Sequence, residues 1–177
     1  MAERQKGNAG NTTGISYRCL RSGDFADVHA LASDWSVVRQ LGSWPWPPQA
    51  AFSQSRCRPF AGEGFIWAIC RNDRLIGTMG VTGAELGYCL LPAEHGKGIV
   101  SRAARVAIDH AFAHYGWSEL KAGCWNDNRA SARVLKKLGF VHWQSRYEHS
   151  KARGLPVISY RFRLPRRDWH GLRSTQQ

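Results

Sequence analysis

The residues best suited to bind an anion lie just past the middle of the chain, at His95-Gly96-Lys97-Gly98-Ile99-Val100. An amphipathic stretch follows this loop, so we expect the loop to open a long helix. Free amides and the positive dipole end at a helix start attract anions. Gly96 and Gly98 allow the backbone to approach a ligand closely, and Lys97 adds a positive charge. The loop therefore predicts a site for a diphosphate group.

The glycine pattern excludes two common diphosphate sites. A P-loop requires a Lys-Ser/Thr pair after its glycines, and none follows here. A dinucleotide-binding fingerprint requires a third glycine where Ser101 stands, and it usually begins near the first strand of a domain. Taken alone, the glycine pair is also compatible with an ordinary helix start.

A second segment makes the interpretation specific. After one further predicted strand the chain reads Asn128-Arg129-Ala130-Ser131, and the helix that follows ends in Lys137-Leu138-Gly139-Phe140. Together, the loop and this segment resemble the cofactor-binding motifs of the GNAT superfamily of N-acetyltransferases. Those motifs are a Q-x-x-G-x-G/A loop and an N-x-x-S/A helix that ends in K-x-G-F.

The resemblance extends to the RimJ/RimL-type branch of this superfamily. Its patterns are similar to Glu85-Leu86-Gly87-Tyr88, Trp44-Pro45-Trp46-Pro47 and Ser159-Tyr160-Arg161-Phe162, so that residues 15–169 are covered. The chain departs from the pattern at four positions of the loop. His95 replaces Gln or Arg, Val100 replaces Gly or Ala, and Ser101-Arg102 replaces a common Thr-Glu pair. We expect cofactor binding to survive, because Val100 offers its amide as well as Ala would.

The resemblance implies an enzyme that transfers an acetyl group from acetyl-CoA to a primary amine in a ternary complex. It implies that the CoA diphosphate lies on residues 95–101 and that Asn128 and Ser131 contact the pantetheine arm. The backbone of Leu90 and Leu91 would pair with that arm and polarise the thioester carbonyl. The acceptor is either the α-amine of a protein or a small-molecule amine.

The transfer also requires a group that protonates the departing thiolate. Many members of the superfamily use a Tyr, but the matching position here is Leu135. We therefore expect Ser131 to be the general acid; the alternative is that its hydroxyl only caps or bonds within its own helix.

Further residues are candidates for proton removal and for acceptor binding. Glu85 is the candidate base and would act through water; the alternative is an ordinary surface carboxylate. Trp44, Trp46 and Tyr88 are candidates for lining the acceptor pocket, although the two Trp could simply cover the core. His110 and His114 lack the ligand pattern of a metal site, so we expect no metal.

Composition bounds the partners and the setting of the protein. The 177 residues suit one domain, and 43% are hydrophobic without a run long enough to span a membrane. The net charge of +12 favours anionic ligands: nucleic acid, acidic protein or a phosphorylated cofactor. The five cysteines form no C-x-x-C pair, which suits a reducing cytoplasm. Oligomeric state is not specified.

Hydrophobic periodicity predicts a single α+β domain at residues 15–169, between a disordered leader (1–14) and a flexible C-terminal tail (170–177). Its Arg residues near the end of the chain suggest a solvated tail or a phosphate-binding strip. A strand–long helix–strand unit lies between two hairpins, so we expect a mixed, mostly antiparallel sheet with helices on both faces, as in GNAT proteins.

Two further functions are compatible with these features. A noncatalytic CoA-binding protein would share the motifs but lack turnover. A basic module that binds nucleic acid or protein would share the charge, but it would have no reason to carry the paired loop and Asn-x-x-Ser helix. We therefore do not expect nucleic acid to be the partner.

Overall fold

The computed structural model describes residues 14–174, with side chains described through residue 171. Thirteen α-helices and β-strands follow one another along the described chain, and we number each type in order. They are β1 (Ile15–Cys19), α1 (Phe25–Ala32), α2 (Trp35–Val38), α3 (Ala50–Arg56), β2 (Gly64–Arg71), β3 (Arg74–Thr82), β4 (Glu85–Leu90), α4 (Ile99–His114), β5 (Glu119–Trp125), α5 (Arg129–Lys137), β6 (Val141–Ser150), β7 (Leu155–Pro165) and α6 (Arg166–Ser174).

The strands form one seven-stranded sheet in the order β1-β2-β3-β4-β5-β7-β6. β4 and β5 are parallel, because α4 carries the chain back across the sheet between them, and the other neighbouring strands are antiparallel. The expected mixed, mostly antiparallel sheet is thus confirmed. The hairpin turn expected between β2 and β3 is also present, with Asn72 and Asp73 at φ values of 50° and 64°.

Alternation along the strands divides the core into two layers. On β2, Phe65 and Ile69 face the layer built with α4, whereas Ala68 and Cys70 face the layer built with α1 and α2. Helices therefore cover both faces of the sheet, as expected. We call the second face, which carries α1–α3, the acceptor face.

One feature of the sheet positions the candidate site. β4 and β5 pair only through Glu85 with Lys121 and through Leu86 with Ala122, at one end of the two strands. Beyond Leu86 the strands diverge, so that a gap opens in the middle of the sheet. A parallel pair that separates in this way leaves backbone donors and acceptors without a strand partner.

The C-terminal region differs from the expectation of a flexible tail at residues 170–177. Residues 170–174 belong to α6, and the buried Trp169 anchors that helix by donating to Asp109 of α4 at 2.8 Å. Arg166 donates to the carbonyls of Phe112 and Trp117, near the end of α4. Carbonyls at a helix end have no partner within the helix, so this side chain supplies their hydrogen bonds. This arginine therefore belongs to the fold and not to a solvated strip.

The expected leader, residues 1–14, lies outside the described residues except for Gly14. Residues 175–177 also lie outside them. No helix within residues 14–174 is long and apolar enough to cross a membrane.

Candidate active site

A cleft of about 1210 Å³ passes through the gap between β4 and β5. Residues from both faces of the sheet line it. Thr78 and Cys89 contribute from the acceptor face, while Ser101 and Asn128 contribute from the elements on the opposite face. A molecule in this cleft can therefore reach both sides of the sheet through one opening.

The backbone of β4 presents donors to this gap. Ala84 accepts from Lys121 of β5, so the alternation of a strand turns the N–H groups of Tyr88 and Leu90 toward the same side. Within the described residues neither N–H has a backbone partner. Two amides are thus available to bind the carbonyl or amide of a ligand that lies along β4.

Leu91 does not supply a third donor. The sequence predicts that its backbone acts together with that of Leu90, but the Leu91 amide donates to the Ile76 carbonyl at 2.8 Å. A donor engaged in that bond cannot also polarise a ligand carbonyl. The prediction for Leu91 as a backbone donor is therefore wrong, because its amide points to the opposite side of the strand from Leu90.

The glycine loop opens α4 as the sequence predicts. Gly96 and Gly98 have φ values of 74° and 70°, a conformation that side chains with a Cβ rarely adopt. The first helical hydrogen bond runs from the Arg102 amide to the Gly98 carbonyl. The amides of Ile99, Val100 and Ser101 therefore precede the helical ladder, in a position where the start of a helix can bind an anion.

The side chains of the loop have roles that the sequence does not reveal. His95 Nε2 bonds the Leu90 carbonyl at 2.9 Å and so ties the loop to the end of β4. Lys97 bonds Glu94 at 3.1 Å, and Arg71 bonds the same carboxylate at 2.8 Å. The Arg71 bond, followed by the Lys97 bond, lowers the pKa of the Glu94 carboxyl. The charge of Lys97 is thus already partly compensated.

Arg102 lies in the first turn of α4, and sequence reasoning treats it only as a departure from the family pattern. Its guanidinium lies over the helix start, since a Cβ added to Gly98 would lie 3.2 Å from Arg102 Nη1. Arg133 and Lys137, one helical turn apart on α5, line the same cleft. The i,i+4 spacing of Arg133 and Lys137 is the sequence signal that could have identified them as two basic residues on one face of α5.

Ser131 is held at the gap by its own helix and by β4. Asn128 is the N-cap of α5, and its Oδ1 accepts from the Ser131 amide at 3.0 Å. The Ser131 hydroxyl lies 2.8 Å from the Tyr88 hydroxyl. It also bonds the Cys124 thiol; burial raises the pKa of that thiol, and the bond to Ser131 opposes the rise. The hydroxyl therefore points at the cleft wall and not back along its helix.

Tyr88 borders the cleft, but its hydroxyl turns toward Ser131. Burial raises the pKa of Tyr88 to about 12, with the Ser131 hydrogen bond opposing the rise. Tyr88 therefore stays protonated at neutral pH and can serve as a hydrogen-bond donor to Ser131.

Glu85 lines the cleft on the acceptor face and is about half exposed. Its carboxylate pairs with Arg161 at 2.9 Å, and Arg161 also approaches Glu148 at 3.6 Å. Arg161 crosses over Gly123, where an added Cβ would lie 2.6 Å from its Nη1. Arg161 is thus fixed beside Glu85 and is not part of a solvated strip.

The two Trp residues have different positions. Trp44 is buried, lines the cleft and packs edge-on against Phe52. Trp46 is not among the cleft-lining residues, and its ring packs against Trp35 with the centroids 5.2 Å apart. Trp46 therefore lies outside the lining of this cleft, and its place in the acceptor pocket stays a prediction.

A set of ion pairs cross-links three distant segments of the chain outside the lining of the cleft. Asp127 pairs with Arg39 at 2.6 Å and with Arg153 at 3.0 Å, where Arg39 follows α2 and Arg153 lies in the turn before β7. Arg153 also donates to the Arg39 carbonyl.

Among residues 14–174, no group of three or more His, Cys, Asp or Glu side chains could hold a metal ion.

Comparison with known proteins assigns this architecture. Residues 15–141 match the model of the acetyltransferase (GNAT) domain. The chain is 39% identical over 77 residues to "Probable N-acetyltransferase YjcK" of Bacillus subtilis (strain 168), a match that spans 39% of this chain and 42% of that protein. It is 27% identical to "Uncharacterized N-acetyltransferase p20" of Bacillus licheniformis over 86% of this chain and 94% of that protein.

Solved structures show the same fold. A structure titled "RimL- Ribosomal L7/L12 alpha-N-protein acetyltransferase in complex with Coenzyme A" superposes with a TM-score of 0.73 at 14% identity, over 89% of this chain and 97% of that one. A spermidine N-acetyltransferase from Vibrio cholerae, in complex with CoA and spermine, gives 0.72 at 16% identity, over 89% and 98% of the two chains. At this identity the likeness concerns the fold, which serves protein and polyamine acceptors alike.

Proposed function

The chain belongs to the GNAT family of acetyltransferases, and we propose that it transfers an acetyl group from acetyl-CoA to a primary amine. The amine attacks the thioester directly while both substrates are bound. We further propose that the chain belongs to the RimJ/RimL-type branch, which the Glu85-Leu86-Gly87-Tyr88 segment supports. The five free cysteines fit a reducing cytoplasm, where we place the reaction.

The observation that carries this proposal is the gap between β4 and β5, with an anion-binding helix start on one face and an open pocket on the other. Such a cleft can hold a long cofactor whose phosphates and reactive group lie far apart. We assign the CoA diphosphate to the amides of Ile99, Val100 and Ser101, with Gly96 and Gly98 giving close approach. The guanidinium of Arg102 adds charge beside them.

The pantetheine arm then follows β4 toward the gap. In this assignment Asn128 lies beside the arm, and the free amides of Tyr88 and Leu90 bind its carbonyl groups and that of the thioester. These two amides stabilise the oxyanion that forms when the amine nitrogen attacks the carbonyl carbon. His95 acts indirectly, because its ring is engaged with the Leu90 carbonyl and holds the loop against β4.

The remaining steps move two protons. Glu85 takes the proton from the amine through a bridging water, with Arg161 holding the carboxylate at the edge of the cleft. The C–S bond then breaks, and the Ser131 hydroxyl gives its proton to the departing thiolate. Tyr88 donates a hydrogen bond to the Ser131 oxygen that has lost its proton; solvent then returns a proton to Ser131, and Glu85 releases to solvent the proton that it took. Each proton thus leaves one named atom and reaches another.

Release of free thiol from acetyl-CoA in the presence of an amine tests the proposal. We expect thiol release to depend on the amine and the product to carry one acetyl group by mass. Calorimetric titration with CoA measures cofactor binding separately. If CoA binds but no amine of any class stimulates thiol release, the protein is a noncatalytic CoA-binding protein and the proposal fails.

A further inference from the structure

The acceptor half of the cleft has a floor made by one face of β3 and β4. The residues of this face alternate with those of the core layer under α4, and they include Thr78, Glu85, Gly87 and Cys89. A Cβ added to Gly87 would meet nothing within 4 Å, so open space lies directly above this part of β4. An acceptor placed there lies beside the free amides of β4.

Two arginines face this space from the end of α3 and the segment after it. Arg56 and Arg58 both line the cleft, and the Arg56 guanidinium lies 5.9 Å from the ring centre of Trp44 and 5.6 Å from that of Phe52. Burial raises the pKa of the Cys89 thiol, and the charge of Arg56 opposes that rise. Arg56 is therefore close enough to the floor to act on it electrostatically.

Several arginines of the described chain are already engaged by carboxylates, and these two are not. Arg18, Arg71 and Arg161 each have a carboxylate partner. Within residues 14–174, neither Arg56 nor Arg58 forms an ion pair. A half-buried guanidinium that lies over aromatic rings and has no carboxylate within ion-pair distance is suited to bind an anion that arrives with a ligand.

The carboxylates of the cleft do not balance this charge. Among the described residues, Glu85 and Glu94 are the carboxylates of its lining; Arg161 engages the first, and Arg71 and Lys97 engage the second. The acceptor half is therefore electropositive. It repels an acceptor with several ammonium groups and attracts one whose amine stands beside a negative charge.

We propose that the acceptor is a primary amine that carries a carboxylate or phosphate a few bonds from its nitrogen, and that Arg56 and Arg58 bind this anionic group. The proposal rests on the proposed acetyl transfer and names its substrate class. Arg56 provides a fixed, planar donor pair near the reacting amine, and the exposed Arg58 completes the site from the rim. Trp44 supplies the apolar wall against which the body of the acceptor lies.

Matched acceptors test this class directly. Phenylalanine, phenylalaninamide and phenethylamine share one side chain and differ in the group beside the amine. Two peptides with Asp or Asn after an N-terminal Ala distinguish a peptide acceptor from a free amino acid. Spermidine serves as the polycationic acceptor. For each we measure kcat and KM from thiol release at saturating acetyl-CoA.

We expect the anionic member of each pair to have a kcat/KM about 10- to 100-fold higher, as charge-assisted hydrogen bonds give. Arg56→Gln should remove this preference by raising KM for the anionic acceptor, whereas Arg56→Lys should retain part of it. Arg58→Gln should weaken the preference without loss of folding, because this side chain is exposed. Arg167→Gln, on a side chain that is 88% exposed in α6, is the control for the loss of one charge.

The outcomes separate the two proposals. Equal or faster turnover of the neutral and polycationic amines overturns the acceptor class while acetyl transfer stands. Retention of the anionic preference in both Arg56→Gln and Arg58→Gln, with CoA affinity unchanged, overturns the assignment of these residues. Absence of turnover with every amine overturns acetyl transfer itself, together with the acceptor class that rests on it.

Discussion

Replacement of Ser131 by Ala separates the proposed acid from the fold that positions it. The change removes the hydroxyl that lies 2.8 Å from the Tyr88 hydroxyl but keeps the backbone amide that Asn128 caps. The hydrogen bonds to Tyr88 and to the Cys124 thiol are lost, so the free energy of unfolding should fall by about 1 to 2 kcal/mol. A general acid contributes about 10²- to 10⁴-fold to the rate, or roughly 2.7 to 5.4 kcal/mol of transition-state stabilisation.

The assay is a single-turnover measurement of acetyl transfer, which excludes slow product release as the limiting step. CoA affinity is measured by calorimetry, and the unfolding midpoint checks the fold. Tyr88→Phe should lower the rate by less than Ser131→Ala, since it removes only the donor that orients Ser131. The double variant Ser131→Ala/Tyr88→Phe should have nearly the same rate as Ser131→Ala alone, because the two hydroxyls act as one unit.

Ser145→Ala is the matched control, because this exposed serine on β6 bonds His142 and lies outside the cleft. Because the pKa of Tyr88 is raised to about 12, its hydroxyl stays protonated near neutral pH, and we expect no fall in rate from its ionisation in that range. A single-turnover rate for Ser131→Ala within about threefold of the wild type, with normal CoA affinity, would refute the acid assignment.

Three further changes test other parts of the site and the fold. Gly87→Val places its side chain in open space, so it should raise the acceptor KM and leave the unfolding midpoint and CoA affinity unchanged; a normal acceptor KM contradicts the placement of the acceptor. Gly98→Ala puts a Cβ at a φ of 70°. Calorimetry should then show CoA binding at least about 10-fold weaker, and denaturant unfolding should show a free energy of unfolding lower by about 1 to 2 kcal/mol. Gly116→Ala, where an added Cβ meets nothing within 4 Å, should show neither change. Asp24→Asn breaks a bidentate pair with Arg18 at 2.7 and 2.8 Å and should cost roughly 2 kcal/mol in denaturant unfolding at neutral pH. Burial tends to raise the pKa of the Asp24 carboxyl, but the interactions with Arg18 and Arg21 together outweigh it and the pKa is lowered. The stability that this ion pair adds is therefore fully present above the ordinary carboxyl pKa and is lost as the pH falls through the lowered pKa of Asp24. An Asp24→Asn protein that loses stability in acid as steeply as the wild type contradicts this.

Much of the secondary structure could be predicted because its causes are local. The Asn72-Asp73 turn, Gly139 after α5 with a φ of 87°, and the Asn128 cap each depend on a few neighbouring residues. The apolar stripe of α4 likewise requires only helical periodicity. These features are encoded within about one helical turn or one hairpin, and a single sequence is enough to identify them.

The placement of the C-terminal residues could not be predicted in the same way. α6 is nine residues long and rich in charged side chains, a composition that also suits an exposed tail. It is held by Trp169 on α4 and by Arg166 on the carbonyls at the end of α4. Both contacts join residues that are more than 50 positions apart in the chain.

By itself, the sequence determined the glycine loop that opens α4 and the capped helix of Ser131, since glycine conformation and capping are local properties of the backbone. Tertiary structure alone decided that the Leu91 amide is engaged by Ile76, that the Tyr88 hydroxyl meets Ser131, and that Arg56 faces the floor of the cleft. The physical reason is the divergence of β4 from β5, which depends on strand pairing across the whole sheet. No local pattern specifies which backbone donors such a gap leaves free.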